Sequence, residues 1–160
     1  MKKFTILLFF FTALLLTNEC VGQMTNTDKK YSYKRGDVNG IGKWYMGREI
    51  AYVMGYQGIG WLERSEREKE ENVSSLIENM NIKINDIIAD IGAGSGYHVF
   101  RMAPLAKKGL VYAVDIQVEM LTAIEKTKES IKVKNVETIL GSEKSVHLPK
   151  NSIDKILMVD

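Results

Sequence analysis

Residues 90–96 read Asp90-Ile91-Gly92-Ala93-Gly94-Ser95-Gly96, directly behind the apolar stretch Ile87–Ala89, and Asp115 closes a second apolar run that begins at Leu110. This pattern predicts a buried strand over 87–91, a glycine loop, a helix, and a second strand over 110–115 that ends on an acid. Glycines lack a Cβ, so they let backbone N–H groups come close to a ligand where a strand turns into a helix. The first helix is expected from Ser95 to about Ala103, where Pro104 stops it by removing a hydrogen-bond donor. A second helix is expected from Gln117 to about Ser130, with Val118, Leu121, Ile124 and Ile131 facing inward. Val136–Leu140 and Ile153–Val159 read as the third and fourth strands. Strands alternating with helices of this length imply right-handed βαβ units and a parallel sheet.

Upstream the signals are weaker. From Glu63 to Met80, Val73, Leu76, Ile77 and Met80 form an apolar stripe on an otherwise charged stretch, expected to be one helix whose charges face solvent. Trp44–Met54 reads as a short helix, and Gln23–Gly42 as a polar, mobile arm without a sustained period. Lys2 and Lys3 precede an apolar run from Phe4 to Leu16, shorter than the roughly 20 residues a membrane span needs. A basic start, a short apolar core and a polar continuation describe a secretory signal peptide over residues 1–22, with Gln23 first in the mature chain. An uncleaved membrane anchor with a cytosolic domain is the alternative. The expected organisation is therefore a signal peptide (1–22), an arm and lid segment (23–62) and a main domain (63–160).

The net charge of +2 gives no electrostatic case for a nucleic-acid partner. The single cysteine, Cys20, falls inside the expected signal, which leaves the mature chain no disulfide and no thiol nucleophile. With only His98 and His147 as further soft ligands, no metal site is expected. A dinucleotide fingerprint starting at Gly92 needs its third glycine at position 97, and Tyr97 stands there.

Asp90-x-Gly92-x-Gly94-x-Gly96 instead resembles motif I of the class I S-adenosylmethionine-dependent methyltransferases, and the likeness runs from about Ile87 to Asp160. The resemblance implies a Rossmann-like α/β fold, a parallel sheet in the order 3-2-1-4 with flanking helices. The family's sheet has seven strands, so the chain is expected to be truncated after the fourth, leaving that strand as an edge. S-adenosylmethionine is the implied cofactor. Gly92, Gly94 and Gly96 would lie under its methionine and ribose parts, and Asp90 would bind the ammonium group. Asp115 would take the two ribose hydroxyls, while Ile116 and Gln117 flank the adenine. In the loop after the third strand many members place an acid right after the glycine, but Gly141 is followed here by Ser142 and then Glu143. The adenine contact is left open between Ser142, Glu143 and a backbone group. Asp160, at the end of the fourth strand, is the candidate catalytic or substrate-orienting residue.

Competing readings stand beside these. The glycines alone make a tight connection, Asp115 alone is a helix N-cap, Asp90 orders the loop, His98 packs within the first helix, and His147 is a surface residue. Trp44, Tyr45, Arg48, Trp61 and Arg64 are candidates for a lid over an acceptor pocket, against simple packing. The expected activity is methyl transfer to a small-molecule acceptor. An NAD- or FAD-binding oxidoreductase and a non-catalytic cofactor-binding module are the alternatives. Gly94-Ser95-Gly96-Tyr97 also resembles the loop of protein isoaspartate methyltransferases, but the match stops there. A membrane partner is expected only through an uncleaved N-terminal anchor.

Overall fold

The structure, a computed structural model, describes residues 30–159. The expected signal segment, the proposed cleavage before Gln23 and the candidate Asp160 lie outside the described residues. The chain divides into two compact units, one ending at Tyr52 and one beginning at Val53.

The first unit is a three-stranded antiparallel sheet of β1 (Tyr31–Tyr33), β2 (Gly40–Tyr45) and β3 (Arg48–Ala51), in the order β1-β2-β3. Two sequence expectations are corrected here. Trp44–Met54 contains most of a hairpin instead of a helix, and residues 31–33 and 40–42 of the supposed mobile arm are strand. The hairpin turns at Met46 and Gly47, both at positive φ, a combination that suits the twist of a two-residue connection, and Tyr45 pairs with Arg48 across it. Glu49 holds the irregular Arg35–Gly42 stretch in place, its carboxylate accepting the N–H groups of Asp37 (2.7 Å) and Gly42 (2.9 Å). Lys30, Lys34 and Lys43 lie over the rings of Tyr45, Trp44 and Tyr31. These long-range anchors replace the hydrophobic period that the sequence lacks.

The second unit is α/β. A single 3-10 turn (Tyr56–Gly58) leads into α1 (Ile59–Leu62), α2 (Arg67–Glu71) and α3 (Val73–Asn79). Then follow β4 (Ile87–Ile91), α4 (Val99–Met102), β5 (Leu110–Asp115), α5 (Val118–Ile131), β6 (Val136–Leu140) and β7 (Lys155–Leu157). The four strands are parallel in the order β6-β5-β4-β7, which is the expected 3-2-1-4 arrangement. Three strands keep the limits read from sequence; β7 is shorter, because Asp154 spends its carboxylate and its N–H on the N–H and carbonyl of Ile87 (both 2.8 Å) before pairing begins.

The helices differ more. The expected helix over 63–80 is broken, with Asn72 in the left-handed region (φ 50°) ending α2 and starting α3, a conformation that Asn tolerates. α4 is a single turn, since Gly96 at φ 84° interrupts any helix beginning at Ser95. On α5 the inward face is Met120, Leu121 and Ile124, while Val118 and Ile131 are exposed. Val73 and Ile77 of α3, Ile88, Val99, Met102, Val111, Ile124, Val136 and Leu157 share one core. Fully burying one such aliphatic side chain stabilises by about 1.5–3 kcal/mol. Among the described residues no helix is long and apolar enough to cross a membrane.

Candidate functional site

Register decides what meets at the carboxyl end of the sheet. Ile91 of β4 pairs with Val114 of β5, so the next residue on each strand, Gly92 and Asp115, emerges at the same level. Gly92 and Ala93 both donate their N–H to the Val114 carbonyl (2.9 and 3.0 Å), which folds the loop back over β5. Gly94 donates to Asp115 Oδ2 (2.9 Å), and Gln117 donates to Oδ1 of the same carboxylate (2.9 Å). Asp115 is thereby locked in orientation, with further lone pairs on each oxygen free to accept.

Gly92, Gly94 and Gly96 all have positive φ (79°, 55° and 84°), so each is required by the backbone path and not only by space. They differ in what surrounds them. A Cβ at Gly96 would meet Phe100 and Ile124 at 2.8 and 3.0 Å, and one at Gly94 would meet Leu62 at 2.9 Å. At Gly92 there is open space. The cradle is therefore packed from below and open at its strand end.

Asp90 sits beneath the loop, 3% exposed, and its Oδ2 has no hydrogen-bond partner. Burial pushes its carboxyl up to about 7, Arg67 opposes that shift, and Asp115 adds to it. An orphaned buried acid beside an open glycine cradle is suited to a cationic group, because pairing would remove the cost of leaving it unsatisfied.

Arg67 is the residue that sequence reasoning missed. It was read as part of a solvated charged face, yet it is 7% exposed, donates to Glu71 (2.7 Å) and to the Leu62 carbonyl (2.9 Å), and lies 4.3 Å from the centre of the Tyr97 ring. Arg101 lies 3.4 Å from the centre of that ring and donates to the Tyr97 carbonyl. Charge interleaving gave no hint of this, since the burial comes from the Leu62 carbonyl and the Tyr97 ring, the latter distant in sequence. Glu63 and Ser95 form a further link, the Ser95 hydroxyl donating to the Glu63 carboxylate. Arg64 pairs with Glu70 and Glu71 and stacks on Trp61.

The other sequence candidates fall as follows. Ile116 is 45% exposed just beyond Asp115. Ser142 caps its own turn, accepting the N–H groups of Ser145 (3.1 Å) and Lys144 (3.4 Å), and Glu143 is exposed. His98 is buried with Nε2 unpartnered, and burial together with Arg67 and Arg101 lowers its pKa against the opposing pull of Glu71. His147 is exposed, its ring Nδ1 2.9 Å from the Leu140 carbonyl. A separate cleft of about 440 Å³ opens between α1, α4 and α5, and Asp90, Gly92 and Asp115 do not line it. Among the described residues no cluster of three His, Cys, Asp or Glu is placed to hold a metal.

A parallel 3-2-1-4 sheet, a three-glycine loop over β5 and an acid at the end of the neighbouring strand are the arrangement of the class I Rossmann-like S-adenosylmethionine-dependent methyltransferases, and the comparisons support that class. Residues 88–160 match the methyltransferase domain family. The chain is 36% identical over 78 residues to a probable cobalt-precorrin-6B C(15)-methyltransferase (decarboxylating) of Methanococcus vannielii, covering 49% of this chain and 42% of that protein. To the protein of the same name from Methanosarcina mazei it is 26% identical over 88 residues, 55% of this chain and 48% of the relative. The chain thus spans about half the length of the curated relatives it matches. Among solved structures, a SAM-dependent methyltransferase from Aquifex aeolicus superposes with a TM-score of 0.62 at 26% identity, over 66% of this chain and 57% of that one.

Proposed function

We propose that this chain is the cofactor-binding part of an enzyme that transfers a methyl group from S-adenosylmethionine to a small-molecule acceptor. The observation that carries the reading is the pairing of Asp115, fixed between the Gly94 and Gln117 N–H groups, with the unpartnered Asp90 under the same loop. The two acids suit the two ends of the cofactor. Asp115 would accept the ribose hydroxyls, Asp90 the ammonium group, and the glycine backbone would run beneath the methionine part. Ile116 would support the adenine, with Ser142 or Glu143 as candidates at its edge.

When bound, S-adenosylmethionine supplies an electrophilic methyl on a cationic sulfonium. What remains for the protein is alignment and exclusion of water, so no dedicated nucleophile is required. Asp160, three residues past the end of β7 in the sequence, is proposed to orient the acceptor, since ligands of open α/β sheets bind beyond the carboxyl ends of the strands. The relatives' names point toward a small-molecule acceptor of the precorrin kind, and that choice supports the acceptor class more than the individual compound. Tyr97 speaks against the oxidoreductase alternative, since its buried ring occupies the position where a dinucleotide loop needs glycine or alanine.

Calorimetric titration with S-adenosylmethionine and S-adenosylhomocysteine, beside Asp115→Ala and with NAD as control, tests the reading. Binding that Asp115→Ala weakens supports it; binding of NAD alone would replace it. We also propose that residues 1–22 act as an export signal, for which N-terminal sequencing of the expressed protein should return Gln23.

A further inference from the structure

We infer that Met54–Tyr56 forms a wall of the nucleoside site and that Gln117 is the positioning residue that holds it there. The inference rests on the cofactor reading above, but it brings in Met54–Tyr56, to which that reading gives no role, and gives the Gln117 side chain a task other than flanking the adenine. Gln117 follows Ile116, the exposed residue directly after Asp115. Its backbone N–H is spent on the Asp115 carboxylate, while its side-chain amide reaches the other way. Nε2 donates to the Met54 carbonyl (2.8 Å) and Oε1 accepts the Tyr56 N–H (2.9 Å). A carbonyl and an N–H two residues apart on an extended chain face the same side, so the amide completes both of them as a neighbouring strand would.

The partners are far apart in sequence, 61 and 63 residues. Met54 and Tyr56 are 42% and 43% exposed, and Gln117 is only half-buried. A two-bond contact between exposed groups contributes little to folding. Its geometric effect is larger, because it ties an apolar, aromatic-bearing segment one residue from Ile116 at the rim of the acid that would hold the ribose. A flat, weakly polar base leaving that ribose needs an apolar slot, and Ile116 on one side with Met54 and Tyr56 on the other supplies the materials for one. Further along, the same segment is fastened to the glycine loop by Glu63 on Ser95 and by Leu62 against Gly94, so the whole stretch from 54 to 63 is seated on the site at two places.

The test uses the full chain with S-adenosylhomocysteine as probe. Gln117→Met keeps side-chain length and removes both bonds; Gln117→Glu keeps the acceptor for Tyr56 and loses the donor to Met54. Stopped-flow displacement is expected to show dissociation from Gln117→Met about tenfold faster than from the native chain, with association little changed and Gln117→Glu in between. Hydrogen exchange supplies the readout that a merely structural role would not move: ligand should slow exchange across 54–58 in the native chain and much less in Gln117→Met. If S-adenosylhomocysteine binds but leaves exchange at 54–58 and the dissociation rate of Gln117→Met unaltered, the inference is wrong and the cofactor reading stands. If the native chain binds no S-adenosylhomocysteine, both fall.

Discussion

Asp90 is a carboxyl group placed where its charge has no solvent and no donor, and its pH behaviour follows from that. Its carboxyl titrates at about 7 in the folded protein, against about 3.9 in an unfolded chain. The folded state therefore holds this proton more tightly than the unfolded state. The resulting stabilisation is complete below the unfolded value and is lost as pH rises toward 7. Ligand binding runs the other way. An ammonium group requires the carboxylate, so affinity for S-adenosylhomocysteine is expected to weaken below about pH 7, approaching tenfold per pH unit. Calorimetry across that range in buffers of different ionisation enthalpy should detect proton release on binding, and Asp90→Asn should flatten the profile. For Asp115→Ala, the loss of two charge-assisted hydrogen bonds of about 1.5–3 kcal/mol each predicts at least a 100-fold weaker dissociation constant. Both acids were legible in the sequence because a strand-end acid next to a glycine loop has few other uses. The orphaned state of Asp90 was not, since it depends on Arg67, Tyr97 and the core closing around it.

At the level of elements, the glycine loop separates folding from binding. Gly96→Ala must accept a left-handed conformation and a Cβ only 2.8 Å from Phe100, so a loss of about 2–4 kcal/mol is expected in denaturant unfolding. Gly92→Ala meets nothing within 4 Å and should lose only the conformational cost of about 1–2 kcal/mol, while its methyl group would occupy the open end of the cradle. The first variant should therefore fail in stability and the second chiefly in affinity for S-adenosylhomocysteine. α5 offers the opposite change. It ends on Lys132 at φ 57°, and Lys132→Gly is expected to stabilise the fold by about 0.5–1 kcal/mol, read as a shift in denaturation midpoint. The four parallel strands were predictable because each is a short stretch built on Val, Ile, Leu or Ala and bounded by polar or glycine residues. The hairpin at Met46-Gly47 was not, because a methionine at positive φ carries no turn signature and the charged residues around it mimic a helix face.

For the molecule as a whole, every group assigned to the nucleoside site lies in the unit that begins at Val53. Binding there should couple to the unfolding of that unit, since a ligand that recognises only the folded form stabilises it by about 2.7 kcal/mol at a hundredfold excess over its dissociation constant. Saturating S-adenosylhomocysteine is thus expected to raise the thermal midpoint by several degrees, and the Asp115→Ala chain at the same concentration should show only a small fraction of that rise. A thermal scan followed by circular dichroism checks both. The parallel sheet was accessible from the alternation of strands and helices, and its order from the resemblance to the class I methyltransferases, since β6 and β7 are joined without a helix. The division at Tyr52 was not, because Gly55, Gly58 and Gly60 follow it and read as breaks within a lid segment running on to Leu62.

The sequence by itself determined the parallel sheet, the position of the glycine loop and the two acids that flank it. These depend on local periodicity and on residues with special backbone freedom, which act within a few positions of themselves. Only the tertiary structure decided that Arg67 is buried against Tyr97, that Asp90 lacks a partner, and that Gln117 reaches back to Met54 and Tyr56. Each of those joins groups far apart in the chain. A side chain's spacing records which face it occupies, but it does not record which distant segment the fold will bring against that face.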